Sequence, residues 1–109
     1  MFTNSPLRVV GTCSMPKRID ANQRAMVAAL RKVGASVQSL AAVGQGCPDL
    51  LVAFRGQWYV VEVKDGGKAP SRRRLTEAEA DWHAEFSQRA AVHIWTTIDE
   101  ALRGIGAML

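Results

Sequence analysis

Cysteine is scarce in this chain of 109 residues, and the two present, Cys13 and Cys47, stand far apart with no CxxC pairing. That spacing gives no framework for a zinc site and reads as two reduced thiols in a cytosolic protein. Long apolar runs are missing too, so no stretch is built to span a bilayer. The opening residues, MFTNSP, have neither the charged head nor the apolar stretch of a secretory signal. No internal repeat or low-complexity tract is present. What remains is ordinary globular material, 48% hydrophobic and 22% charged, which argues against overall disorder and supports one domain with a modest core. The formal net charge of +4 and a pI near 9.6 favour an anionic partner, although many basic proteins bind none.

The informative stretch is GCPDLLVAFRGQWYVVEVKDG, from Gly46 to Gly66. Leu50 to Phe54 and Trp58 to Val61 are apolar runs rich in branched and aromatic residues, separated by a hairpin-sized gap. With Gly56-Gln57 as a two-residue type II′ turn, Arg55 pairs with Trp58, Leu51 with Glu62 and Asp49 with Lys64. Residues opposite one another, or two apart on one strand, share a face. Asp49, Glu62 and Lys64 are therefore expected to converge, and a one-residue slip of register would separate them. Two carboxylates supply hard oxygen ligands suited to Mg²⁺ or Mn²⁺, and a lysine beside them can position water or stabilise charge growing on a phosphate. The plainer alternative is a lysine bridging two acids at a solvated strand end, a common and weak arrangement.

Pro48-Asp49, a short hydrophobic strand and then Glu62-Val63-Lys64 match the signature of PD-(D/E)xK nucleases. With GCPDLLV, a glycine in the turn, YVVEVKDG and LTEAEADWH, the chain resembles the virus-type replication-repair nuclease branch (VRR-NUC), which includes small stand-alone phage members. The resemblance runs from about Arg18 to Leu102. It implies an αβββαβ core, a restriction-endonuclease-like α/β fold whose mixed sheet carries helices on its faces. It also implies Asp49, Glu62 and the Val63 carbonyl as metal ligands and Lys64 as a catalytic residue. In the resembled family the first helix usually gives a glutamate to the metal site. This chain offers Asp20, Asn22 and Gln23 there instead, so Gln23 is a candidate accessory residue that could orient water. A glutamine of the family commonly falls near Glu79, which makes Glu79 a second accessory candidate.

Along the rest of the chain, residues 1–17 read as a partly ordered arm with a short strand at Leu7–Val10, and residues 18–109 as the domain. Asp20-x-x-Gln23 fits a capping box opening a helix, whose stripe of Met26, Ala29, Leu30 and Val33 ends at Gly34. Ala35 to Leu40 reads as a strand. The Gly-rich loop that follows, Ala41 to Cys47, lacks a P-loop lysine and reads as close backbone packing beside the site. DGGKAPSRRRL holds Lys68, Arg72, Arg73 and Arg74, which are either solvated charge or contacts to a DNA backbone. Thr76-x-x-Glu79 caps a second helix, with Trp82 and Phe86 expected to cover the sheet. Ala91 to Trp95 is a short strand, and Thr97-x-x-Glu100 caps a last helix reaching about Met108. His83 and His93 read as structural rather than as a general base.

The resemblance carries a functional expectation: an endodeoxyribonuclease using Mg²⁺ or Mn²⁺, acting as a homodimer on structured DNA such as Holliday junctions or flaps. A bacterial or phage-infected cytoplasm is the expected setting. Two other classes stand beside it, a DNA-binding module with a degenerate nuclease site and an accessory protein acting through protein contacts.

Overall fold

A computed structural model describes residues 21–68 and 74–108. Elements run α1 (Ala21–Lys32), β1 (Ser36–Ser39), β2 (Leu50–Phe54), β3 (Gln57–Val63), α2 (Glu77–Phe86), β4 (His93–Trp95) and α3 (Ile98–Gly104). This is the expected order. The strands form one sheet in sequence order, antiparallel except for the parallel pair β3–β4. A parallel pair needs a crossover, and the segment carrying α2 supplies it.

One sheet face holds the core. Leu50, Val52 and Phe54 alternate inward along β2, while Val61 and Val63 do so on β3 beside Trp95 of β4. Met26 and Leu30 of α1 and Ala101 and Ile105 at α3 close over them. The helix period that put Met26 and Leu30 on one stripe works as the sequence implies, but Val33 at its end is exposed. β4 is shorter than the expected Ala91–Trp95, and α3 stops before Met108.

The hairpin turns one residue earlier than expected. Phe54 pairs with Gln57 and Leu51 with Val60, leaving Arg55-Gly56 as the turn. Both turn residues have positive φ, 49° and 81°, the pattern of a type I′ turn, whose twist suits the strands it joins. The expected pairs Arg55–Trp58 and Leu51–Glu62 are therefore replaced. Moving a two-residue turn by one position shifts each partner by two residues, and a shift of two keeps every side chain on its face. Glu62, Val60 and Trp58 still share the face away from the core.

The helix α2 departs from expectation more sharply. Trp82 and Phe86 do not cover the sheet: their rings stack on each other at 3.8 Å, and Phe86 stays 47% exposed. The residue that α2 buries is Glu79. This short helix is anchored by its first turn, as the site explains.

Candidate functional site

Three chain segments meet at the end of β3. Asp49 enters just before β2, where its N–H donates to the Val61 carbonyl at 2.9 Å and its own carbonyl accepts from Leu40. These bonds fix its backbone. Its Oδ2 accepts the N–H of Val63 at 2.7 Å, so the carboxylate lies against the peptide that links Glu62 to Lys64. Glu62 is 1% exposed and Asp49 5%. The third segment is the first turn of α2.

That turn is tied together by the expected capping box. The Thr76 side chain accepts from the Glu79 N–H at 3.2 Å, and Glu79 Oε1 accepts from the Thr76 N–H at 2.9 Å. The same Oε1 also accepts from Lys64 Nζ at 2.9 Å, while Glu62 Oε2 stands 3.5 Å from that ammonium. A residue chosen for capping thus holds the lysine as well. The approach depends on Gly46, whose φ of +81° disfavours other residues and where a Cβ would overlap the Ala78 carbonyl. The Gly-rich loop is close packing against α2, in line with its sequence.

Burial of Lys64 works to lower its pKa, but the hydrogen bond to Glu79 and the fields of Glu62 and Glu79 outweigh it, leaving the pKa above the ordinary lysine value. Lys64 is therefore a cation at neutral pH and no proton acceptor there. Glu79 is taken up by that ammonium, and the buried carboxylates of Asp49 and Glu62 are the oxygens left to suit a bound cation.

The observation that places this geometry among known proteins is a likeness of fold over three quarters of the chain. A solved structure described as a VRR_NUC domain matches the chain with a TM-score of 0.55 and 28% identity, covering 75% of this chain and 90% of that one. The chain folds as a VRR-NUC domain. No family model and no curated protein sequence matches it.

Within this VRR-NUC domain the remaining candidates are more scattered. Gln23 is buried and lines, with Val27, Val37 and Leu50, an apolar groove of about 280 Å³ between α1 and β1. Its neighbour Asn22 reaches the strand end: Nδ2 donates to the Lys64 carbonyl at 2.9 Å and lies 3.4 Å from that of Thr96. Asn22 thereby pins the start of α1 to the strand end carrying Lys64. Lys68 and Arg74 are exposed, while Arg72 and Arg73, like the Asp20 cap and the 1–17 arm, lie outside the described residues. Both flanks of the basic loop are tied to Lys64, one by direct sequence and the other through Thr76 and Glu79. His93 packs against Tyr59 and Trp95, and burial lowers its pKa, so it is neutral filler. His83 rests edge-on to Trp82.

Among the described residues no three His, Cys, Asp or Glu side chains converge as a ready-made metal cluster. Two carboxylates fit a hard divalent ion that keeps several waters and takes further oxygens from backbone and substrate, as Mg²⁺ does. No helix of the described residues is long and apolar enough to cross a membrane.

Proposed function

We propose that this VRR-NUC domain is a divalent-metal-dependent endodeoxyribonuclease that hydrolyses phosphodiester bonds in structured DNA such as Holliday junctions or flaps, working as a homodimer in the cytoplasm. The observation that carries the reading is the meeting of Asp49, Glu62 and a clamped Lys64 at one strand end.

Asp49 and Glu62 would hold Mg²⁺ or Mn²⁺, with the Val63 carbonyl as a third ligand. Val63 sends its N–H to Asp49, and a strand residue's carbonyl projects to the same edge as its N–H. When bound, the ion supplies positive charge for the scissile phosphate and activates water as the nucleophile. Lys64, charged at neutral pH, orients the nucleophile or stabilises negative charge as it develops on the phosphoryl oxygens. Glu79 sets the direction of that ammonium and is a positioning residue. Lys68, Arg72, Arg73 and Arg74 would neutralise backbone phosphates, giving salt-dependent binding without base readout. A glutamine at position 23 cannot add a carboxylate, so a bound ion would rest on fewer charges than the resemblance implies. A DNA-binding module with a degenerate site is the reading that gains from this.

Labelled four-way junction, flap, duplex and single strand, each incubated with Mg²⁺ or Mn²⁺, test the proposal. Cutting of at least one branched substrate is expected, abolished by Asp49→Asn and Lys64→Ala with junction binding largely retained. Asp49→Asn keeps an oxygen for the Val63 N–H, so it reports on charge rather than on folding. No cutting at any metal concentration, with no Mn²⁺ uptake by calorimetry, would replace the nuclease by the degenerate module.

A further inference from the structure

Three indoles occupy different surroundings. Trp82 stacks on Phe86, and Trp95 packs near Tyr59 and His93 within the core. Trp58 has no ring partner among the described residues and is 70% exposed. It lies opposite Ala53, a small residue that leaves the ring face uncovered. Exposing an indole forfeits one of the largest apolar burials a side chain can offer.

Its position is the second observation. Trp58, Val60 and Glu62 alternate along one unbroken ladder of β3, so the indole and the buried carboxylate face the same side. Four residues of strand separate them by roughly 13 Å. A DNA strand rises about 3.4 Å per nucleotide when stacked and further when unstacked, so the gap corresponds to roughly two to four nucleotides. Ile94, paired with Glu62 on the same face, is 45% exposed and continues the apolar surface. The net charge of +4, with Lys68 and Arg74 exposed on either side of the loop that follows Lys64, suits a polyanionic partner.

We propose that Trp58 is a stacking platform for an unpaired base two to four nucleotides from the scissile phosphate, which makes the preferred substrate DNA with unpaired nucleotides beside the cut. This rests on the nuclease reading for the position of the phosphate. Bases inside a continuous duplex have both faces covered by their neighbours, whereas a flap or an opened junction presents a free face to an aromatic ring. Stacking of this kind tolerates any base and is lost on truncation of the ring.

The test measures binding of the full chain carrying Asp49→Asn, by fluorescence anisotropy, to a labelled single strand, a flap and a blunt duplex of equal length. Adding Trp58→Ala is expected to weaken single-strand and flap binding about 10-fold and duplex binding less than about 2-fold. Trp58→Phe should restore most of the loss, while Trp58→Leu, apolar but without a π face, should not. Equal losses on duplex and single strand, or rescue by leucine, overturn the proposal. So does a change of sedimentation mass in Trp58→Ala, which would assign the indole to contact between copies. If the discrimination appears but the unsubstituted chain never cuts, stacking stands and the nuclease reading falls. If the chain cuts flap and duplex alike with and without the indole, the reverse holds.

Discussion

The two faces of the sheet solve opposite problems. On one, Leu50, Val52, Phe54, Val61 and Val63 meet Met26, Leu30, Ala101 and Ile105 in a dry core that needs no polar partner. On the other, the same strands carry Glu62, Val60 and Trp58, with Glu62 buried beside a lysine and Trp58 in solvent. Apolar side chains interlock on one face, and on the other the charged ones are buried only at the strand end that the first turn of α2 covers. Strands only a few residues long serve both because alternation separates the two sets completely. The difference teaches that a 109-residue chain can hold a costly charged cluster when the far side of the sheet supplies the folding energy.

Substitutions on each side should separate these roles. Leu30→Ala, in the middle of the core, is expected to lower unfolding free energy by about 3 kcal/mol in denaturant titration. Gly46→Ala should cost about 2 kcal/mol or more, because a strained φ and the Ala78 carbonyl both oppose the added methyl. It should also weaken any cutting, since α2 must move and Glu79 with it. Glu79→Ala removes an acceptor from the helix cap and from Lys64 together, for about 1–2 kcal/mol. If Glu79 positions Lys64, cleavage rate should fall more than DNA affinity, and Glu79→Gln should recover part of it.

The smallest effects test the periphery. Glu100 accepts the Thr96 N–H at 2.6 Å and the Thr96 hydroxyl at 2.8 Å. The first of these, chiefly, holds its pKa below the ordinary glutamate value of 4.5. Its contribution is thus complete above that value and disappears as pH falls through the lowered one. Glu100→Gln should cost about 0.5 kcal/mol at neutral pH, given its exposure, and the difference from the parent chain should vanish in strong acid. Trp58→Ala on the open face should change stability by less than about 0.5 kcal/mol, in contrast with Leu30→Ala.

Periodicity and local chemistry alone determined the element order, the Met26–Leu30 stripe, the Thr76 and Thr97 caps and the close packing of the Gly-rich loop. Each depends on residues within a few positions of one another, where spacing translates directly into geometry. The convergence of Asp49, Glu62 and Lys64 was legible for a related reason: a two-residue turn can move by one position without changing which side chains share a face. The turn itself was misplaced because Arg55 accepts a positive φ that its chemistry does not advertise. Only the tertiary structure decided that Glu79 clamps Lys64, that Asn22 holds its carbonyl, that α2 leaves Trp82 and Phe86 to each other, and that Trp58 is bare. The two contacts to Lys64 join residues 15 and 42 apart, and no local propensity encodes which distant group arrives.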